Sequence, residues 1–260
     1  MGKTALITGA TSGIGAAYAK KLASQGYDLI LTGRRREVIQ KLADKLAKQF
    51  NVNIKVILAE LSNDSDIRKV VNAINNAENL EMLINNAGYN GPLIPFAERD
   101  LSEQEKMVKV LTTSPMRLTY AVLPEMIKKG QGTIINVSSI AAYLPSKKWA
   151  VYAASKAFLK SFTEALYLEV KNQGVKVQVV CPGNTDTDFF RDFSTDGKST
   201  WLNVFKVVMS PEEVVDHSLK DLEKNIVVCI PGEYYKGVLK LFSVLPPPDM
   251  YEKAEKGATY

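Results

Sequence analysis

The chain has 260 residues, of which 46% are hydrophobic and 23% are charged, as in an ordinary globular protein with one large core. The net charge of +5 is spread along the chain, which indicates a mild preference for anions and argues against a nucleic-acid partner. Two cysteines in apolar runs and a single histidine provide no disulfide framework and no zinc ligand set. An apolar run begins almost at Met1 and none reaches membrane-spanning length, so we expect a cytoplasmic protein without stable membrane insertion.

The first predicted elements are a strand over residues 3–8 and a helix that Gly26 ends, with a glycine-rich turn between them. Glycines at such a junction let the backbone turn tightly and bring a helix N-terminus close to a pyrophosphate, whose charge suits the free N–H groups there. A plain strand-to-helix turn is the alternative, because one glycine-rich motif is a weak signal. The residues that we expect to contact a dinucleotide here are Gly9, Thr11, Ser12, Gly13, Ile14 and Gly15.

A basic triplet, Arg34, Arg35 and Arg36, directly follows the second predicted strand, DLILTG. In a dinucleotide fold, an acidic residue near this strand end binds the ribose hydroxyls of NAD, whereas arginine accommodates the 2′-phosphate of NADP. The planar guanidinium group is well suited to phosphate. The sequence therefore favours NADP(H), with Arg34 as the first candidate and Arg35 as the next. The alternative is that the triplet only solvates the start of the following helix.

Strands and helices continue to alternate, with further strands predicted over residues 53–61 and 81–88. This alternation predicts a parallel sheet that grows by right-handed crossovers. We expect Leu61 to lie at a strand end beside an adenine, with Glu60 next to it. The fourth strand ends in small residues that can approach a cofactor ribose, although ordinary turn chemistry would also explain them. The candidates there are Asn86, Ala87 and Gly88.

Three residues with matching chemistry follow in the next strand, loop and helix. GTIINVSS reads as a buried strand that ends at Ser139, and Tyr152 and Lys156 share a face of the following helix. A Lys ammonium roughly 4 Å from a phenol stabilises the phenolate by about 4 kcal/mol at an effective dielectric near 20, or roughly three pKa units. That shift would bring the tyrosine towards pKa 7 and make it an acid or base. A Tyr and Lys at this spacing also occur by chance on amphipathic helices.

The motifs TGATSGIG, NNAG, a serine thirteen residues before YAASK, and CPGNTDT resemble the classical short-chain dehydrogenase/reductase family over essentially the whole chain. The resemblance implies one α/β domain over residues 1–260: a three-layer, Rossmann-like, doubly wound sheet of seven parallel strands in the order 3-2-1-4-5-6-7. It also implies an NAD(P)-dependent oxidoreductase. Tyr152 would be the general acid/base, Ser139 would orient the substrate, and Lys156 would lower the tyrosine pKa and hold the nicotinamide ribose. The nicotinamide and diphosphate end would be lined by Pro182, Gly183, Thr185 and Thr187.

Two positions depart from the family pattern. Leu111 stands where relatives carry an asparagine that supports a proton path to the lysine, and Glu60 stands where many carry aspartate. We expect activity to survive with a reduced proton relay, with Thr112 and Thr113 as candidate substitutes, and we expect the longer Glu60 side chain to reach the adenine. The resemblance also implies a homodimer or homotetramer that pairs through the long helices predicted over 101–128 and 149–172.

We expect the remainder of the chain to form much of the substrate-binding site. Residues 187–210 are aromatic-rich and poorly periodic, which predicts a mobile lid, with a loop that only packs on itself as the alternative. Ser210 and Glu213 predict a capping box, and further elements are a strand over 225–232 and an apolar C-terminal helix. A bulky or apolar carbonyl or alcohol substrate is indicated by Tyr143, Leu144, Trp149, Phe189, Phe190, Phe193, Trp201 and Phe205.

Two functional hypotheses follow. The first is an NADP(H)-dependent oxidoreductase that transfers a hydride between nicotinamide and a carbonyl or secondary alcohol. The second, which Leu111 at the asparagine position favours, is a dinucleotide-binding sensor or scaffold without turnover. A sensor would have no need of the serine, tyrosine and lysine set.

Overall fold

The computed structural model describes residues 2–144, 147–187 and 207–243. Its centre is one sheet of seven parallel strands in the order β3-β2-β1-β4-β5-β6-β7, which confirms the predicted fold class and strand order. The strands are β1 (Thr4–Ile7), β2 (Asp28–Gly33), β3 (Ile54–Leu58), β4 (Leu80–Asn85), β5 (Gly132–Val137), β6 (Val175–Val180) and β7 (Val228–Cys229).

Helices cover both faces of the sheet. Within the described ranges they are α1 (Gly13–Ser24), α2 (Arg36–Phe50), α3 (Asp64–Asn75), α4 (Leu101–Val108), α5 (Ser114–Lys129), α6 (Ala150–Val170), α7 (Pro211–Glu223) and α8 (Glu233–Ser243). Alternate strand residues face opposite layers, because side chains along a strand alternate in direction. Ile7 belongs to a buried cluster with residues of α1, α2, α7 and α8, whereas Leu6 belongs to a second cluster with residues of α3, α5 and α6. Both layers are therefore buried against one sheet. None of the helices described combines the length and apolar character needed to cross a membrane.

The helix predicted over 101–128 is continuous in the structure and consists of α4, a π-helical turn (Lys109–Thr113) and α5. The physical reason for the π-helical turn is Pro115, which has no N–H to donate to the Leu111 carbonyl in α-helical register.

The seventh strand is shorter than predicted. It was predicted over residues 225–232, and in the structure it covers only Val228–Cys229. Asn225 has φ of 56°, outside the extended region, and Pro231 and Gly232 follow the strand closely.

The capping box predicted at α7 is confirmed. The Ser210 hydroxyl accepts a hydrogen bond from the Glu213 N–H at 3.2 Å, and the Glu213 carboxylate accepts one from the Ser210 N–H at 2.7 Å. Two free N–H groups at the helix start are thereby satisfied.

Candidate active site

A crevice of 460 Å³ lies beyond the carboxyl ends of the strands, where open α/β sheets bind ligands. The structure brings every sequence-predicted site residue to this crevice except Gly15. Those that line it are Gly9, Thr11, Ser12, Gly13, Ile14, Arg34, Arg35, Glu60, Leu61, Asn86, Ala87, Gly88, Ser139, Tyr152, Lys156, Pro182, Gly183, Thr185 and Thr187.

Gly15 was predicted to contact the dinucleotide, but it does not line the crevice. A Cβ atom at this position would lie 2.4 Å from the Asn86 side-chain nitrogen and 2.4 Å from the Gly9 carbonyl oxygen. The space that a side chain would need is occupied, so this glycine lets α1 pack closely against the end of β4.

The glycine turn is fixed to the neighbouring strand by two polar side chains. The Asn86 amide donates to the carbonyl oxygens of Thr8 and Gly9 at 3.0 and 3.1 Å. In return, the Thr8 hydroxyl accepts from the backbone N–H groups of Asn86 and Ala87 at 2.9 and 3.0 Å. Gly9 has φ of 65°, a conformation that glycine adopts without steric cost. The ends of β1 and β4 therefore form one connected wall of the crevice.

Arg34 is held at the far end of the crevice by an acidic and an aromatic residue. Its Nη1 lies 3.1 Å from a Glu60 carboxylate oxygen, and its guanidinium carbon lies 5.8 Å from the centre of the Tyr89 ring. Partial burial works to raise the pKa of Glu60, but hydrogen bonds from Ser62 and Arg34 outweigh it and hold that pKa below its usual range. Glu60 is therefore ionised at neutral pH and neutralises part of the charge of Arg34.

Arg35 reaches the glycine turn directly. Its Nη2 donates to the hydroxyls of Thr11 and Ser12 at 2.9 and 2.8 Å. Arg35 thus places a cation beside the glycine turn. The two hydroxyls and the guanidinium group form a cluster of hydrogen-bond donors that matches a phosphate group.

Ser139, Tyr152 and Lys156 meet at the other end of the crevice. The hydroxyls of Ser139 and Tyr152 are hydrogen-bonded to each other, and the Ser139 oxygen also accepts from the Ala141 N–H at 3.1 Å. The ring of Trp149 contacts the Tyr152 ring edge to face, with 5.3 Å between their centres. Tyr152 is thus fixed from two sides, with its hydroxyl directed at the serine.

Lys156 is buried behind the tyrosine and is held by the backbone of β5. Its ammonium group donates to the Val137 carbonyl at 2.8 Å, and the Ser138 hydroxyl donates to the Lys156 carbonyl at 2.7 Å. The ammonium nitrogen lies 5.7 Å from the centre of the Tyr152 ring. These contacts join the end of β5 to the first turns of α6, so strand and helix position the three residues together.

The predicted tyrosine pKa near 7 is wrong for a site made of protein groups alone. Burial raises the pKa of Tyr152 well above its usual value, and the hydrogen bond with Ser139 opposes only part of that rise. Burial also lowers the pKa of Lys156 to about 8. Both groups are thus shifted towards their neutral forms, because desolvation disfavours charge on either one.

Leu111 occupies the space beside the lysine. A Cβ atom on Gly88 would lie 2.9 Å from the end of the Leu111 side chain and 3.7 Å from the Lys156 ammonium nitrogen. Leu111 itself is 1% exposed. The Thr112 hydroxyl, a candidate substitute in the proton relay, donates to the Val108 carbonyl at 2.6 Å and so is committed to its own helix. An apolar side chain therefore fills the position expected for a polar one.

Sequence reasoning missed several residues that line the crevice. Tyr89, Asn90 and Gly91 directly follow the NNAG motif, and Tyr89 supplies the ring beneath Arg34. Their position just beyond a strand end at the ligand edge was the signal that could have found them. Of the residues predicted to contact the substrate, Trp149 is buried against Tyr152, Leu144 is buried in a different core cluster, and Tyr143 is partly buried; none of the three lines the crevice. The predicted lid falls largely outside the described residues, as do Phe189, Phe190, Phe193, Trp201 and Phe205.

Comparison with known proteins decides the family. Residues 3–198 match the family model described as short chain dehydrogenase. The chain belongs to the short-chain dehydrogenase/reductase family. This confirms the resemblance found in the sequence motifs, and it makes the chain a member of a family of nicotinamide-dependent oxidoreductases.

Three relatives illustrate the range within this short-chain dehydrogenase/reductase group. A very-long-chain 3-oxoacyl-CoA reductase of Anas platyrhynchos is 36% identical over 185 residues, which are 70% of this chain and 59% of the relative. Sulfoacetaldehyde reductase 2 of Chromohalobacter salexigens is 36% identical over 191 residues, 73% of this chain and 75% of that one. Among solved structures, a short-chain dehydrogenase from Sphingobium yanoikuyae in complex with NADPH has a TM-score of 0.82 and 30% identity, and covers 94% of this chain and 97% of its own.

Proposed function

We propose that the protein is an NADP(H)-dependent oxidoreductase that interconverts a carbonyl and a secondary alcohol. The observation that carries this proposal is the meeting of Ser139, Tyr152 and Lys156 in the crevice that also contains the glycine turn. When bound, the nicotinamide supplies or accepts the hydride at the substrate carbon. The protein's own groups then have to orient the substrate and move one proton to or from its oxygen.

The three residues suit this proton transfer. Because burial raises the pKa of Tyr152, the phenol keeps its proton until a stronger base, an alkoxide oxygen, develops beside it. Ser139, hydrogen-bonded to the same hydroxyl, is placed to hold the substrate oxygen next to it. Lys156 offsets the negative charge left on the phenolate. In the reducing direction the proton leaves Tyr152 for the substrate oxygen, and alcohol oxidation returns it.

The choice of NADP(H) over NAD(H) rests on the arginines. We assign the 2′-phosphate to Arg35 first, because its guanidinium group lies with the hydroxyls of Thr11 and Ser12 at the glycine turn. This reverses the order of the two candidates predicted from the sequence. The related Sphingobium yanoikuyae enzyme in complex with NADPH supports the same cofactor. The adenine would then lie near Glu60 and Leu61.

The substrate that we propose is bulky or apolar. Trp149 packs against the Tyr152 ring, and both belong to a buried apolar cluster with Leu111, so the surroundings of the reacting tyrosine are apolar. The avian relative is named for a long-chain acyl substrate, which supports this choice, whereas the bacterial relative is named for a small polar aldehyde.

A second candidate function is a dinucleotide sensor without turnover. The observation that favours it is Leu111, which places an apolar side chain beside Lys156 where relatives carry an asparagine. A sensor would bind the cofactor and reduce no carbonyl compound, so measurements of binding and of turnover separate the two functions.

We also propose that two copies of the chain pair through α5 and α6. Both helices lie on one side of the sheet and carry large apolar side chains at the surface, including Tyr120, which is 80% exposed. The others are Met116, Phe158 and Leu168. Exposed apolar groups collected on one side of a molecule are typical of an interaction surface.

The cofactor assignment is tested by titrating the protein with NADPH and with NADH. Wild type should bind NADPH more tightly, and Arg35→Ala should weaken NADPH binding by roughly tenfold to a hundredfold, the loss expected for hydrogen bonds between charged groups. Binding of NADH should be unchanged.

The three consecutive arginines provide a matched control. Arg36 is exposed at the first position of α2 and does not line the crevice, so Arg36→Ala should leave both affinities as in wild type. Equal affinities for the two cofactors in wild type, unchanged in the Arg35 variant, would contradict the assignment.

A further inference from the structure

Tyr235 is a buried residue on an otherwise largely exposed helix. It lies in the first turn of α8, near the C-terminal end of the described chain, and its exposure is 0%. The neighbouring Tyr234 is 36% exposed and contacts the Tyr235 ring edge to face. The helix therefore directs one aromatic side chain into the molecule, towards the turn that follows β6.

The Tyr235 hydroxyl hydrogen-bonds to two separate backbone segments. It accepts from the Asn184 N–H at 2.8 Å, and it donates to the Val207 carbonyl. Burial raises the pKa of Tyr235 to about 12, and the hydrogen bond from Asn184 opposes that rise. The hydroxyl thus keeps its proton at physiological pH, so both hydrogen bonds persist together.

The ring of Tyr235 occupies the space beside Gly183. A Cβ atom on that glycine would lie 2.1 Å from two carbon atoms of the ring. Gly183 lines the crevice together with Pro182 and Thr185. One side chain therefore supports the outer side of this turn through both its ring and its hydroxyl, while the inner side faces the crevice.

The same turn is joined to the catalytic loop. The Pro182 carbonyl accepts from the Ile140 N–H at 3.0 Å, and Ile140 directly follows Ser139. On the other side, the Asn184 carbonyl accepts from the Met209 N–H at 3.0 Å. The turn is thus held between the serine that faces the substrate and the C-terminal helix.

We propose that Tyr235 is a positioning residue that sets the turn Pro182–Thr185 against the nicotinamide half of the cofactor. The proposal rests on the proposed function, because that function places the nicotinamide at this turn. Tyr235 does not line the crevice and acts only through the turn. Loss of its hydroxyl leaves the Asn184 N–H without this acceptor, and the turn then holds the nicotinamide half less firmly while the adenosine half is unaffected.

The test compares the whole cofactor with its adenosine half. Tyr235→Phe keeps the ring and removes the hydroxyl, and should weaken NADPH binding by roughly tenfold, the effect of one buried hydrogen bond worth about 1.4 kcal/mol. Binding of 2′,5′-ADP, which has no nicotinamide, should be unchanged. Both affinities are measured by calorimetry at a temperature where each variant is folded.

Tyr18→Phe is the matched control. Tyr18 is also fully buried, and its hydroxyl donates to Ser218 at 2.6 Å, but it does not line the crevice or contact the turn. This variant should lose stability and keep both affinities. The proposal would be overturned if both variants bound NADPH and 2′,5′-ADP more weakly to the same degree. It would also be overturned if Tyr235→Phe bound NADPH as wild type does.

Two further outcomes are informative. If wild type binds neither NADPH nor NADH, the proposed function fails and this inference fails with it, which is distinct from a failure of Tyr235 alone. If Tyr235→Phe does not fold, the test is instead the rate of hydrogen exchange at the backbone N–H of Asn184 in wild type. Strong protection that increases with NADPH would support the proposal, and exchange as fast as in an exposed loop would overturn it.

Discussion

Lys156 is a buried ammonium group held by a neutral carbonyl. It is 4% exposed, and its hydrogen bond to Val137 is 2.8 Å long. Burial lowers its pKa from 10.5 to about 8, which means that the folded protein binds this proton less tightly than the unfolded chain does. The charge therefore destabilises the fold below pH 8, and this cost disappears as the pH rises from 8 to 10.5.

Replacing this charge should stabilise the protein. Lys156→Met keeps an unbranched apolar chain, and at pH 7 it should raise the free energy of unfolding by on the order of 2 kcal/mol while removing turnover. Most of the gain should be lost by pH 10, where the folded lysine is neutral and the unfolded one begins to lose its proton. Urea unfolding at pH 7 and pH 10 measures the difference.

Lys160, one turn further along α6, is the control. Its side chain is 21% exposed and lies 2.7 Å from the Glu164 carboxylate. Lys160→Met should therefore give no stability gain at either pH. A Lys156→Met variant that is destabilised equally at both pH values would show that the buried charge carries no such cost.

Sequence could identify these residues, but it could not predict their ionisation. The spacing of Tyr152 and Lys156 correctly predicted one shared site. It assumed that attraction between the ammonium and the phenolate dominates, whereas in the structure both groups are buried and the ammonium donates to the Val137 carbonyl. Desolvation depends on everything packed around a group, which a local motif does not contain.

Among the elements, the helix predicted over 101–128 forms without a break, and its π-helical turn between α4 and α5 is the feature that periodicity does not predict. Apolar residues at helical spacing run from 101 to 128, so the pattern predicts one helix. Pro115 removes the N–H that would bond to the Leu111 carbonyl, and a π-helical turn forms over Lys109–Thr113. The proline was the signal, and the widened turn places Leu111 beside Lys156.

Exposed apolar side chains on α5 and α6 lead to a prediction about assembly. Tyr120 and Phe158 are 80% and 42% exposed, so a pairing surface that includes them should be weakened by charge. The double variant Tyr120→Lys with Phe158→Lys should have the mass of a monomer in light scattering coupled to gel filtration, whereas wild type should have that of a dimer or tetramer.

Val38 provides the control for this experiment. It is 42% exposed on α2, which packs on the opposite face of the sheet, so Val38→Lys should leave the mass of wild type unchanged. A wild-type protein that is monomeric at micromolar concentration would contradict the pairing.

For the whole molecule, the sheet order was predictable because strand and helix signals alternate without a break and the motifs come at their expected positions. All but one of the predicted site residues line one crevice, since parallel strands end at one edge of the sheet. Contacts between distant segments were beyond sequence reasoning: the pairing of Arg34 with Glu60, and the contact of Tyr235 with Asn184. The lid, the cytoplasmic location and the absence of a nucleic-acid partner stay predictions.

The central claim is that Tyr152 transfers the proton in a reaction driven by NADPH. The most direct measurement is therefore turnover of NADPH with a panel of bulky ketones by wild type and by Tyr152→Phe, together with NADPH binding by both. The variant should lose turnover by about a thousandfold, as general acid catalysis requires, and bind NADPH as wild type does. Tyr27 is a half-buried tyrosine just before β2 and beside Lys3, and Tyr27→Phe should behave as wild type. Undiminished turnover in Tyr152→Phe, or no turnover in a wild-type protein that binds NADPH, would contradict the claim.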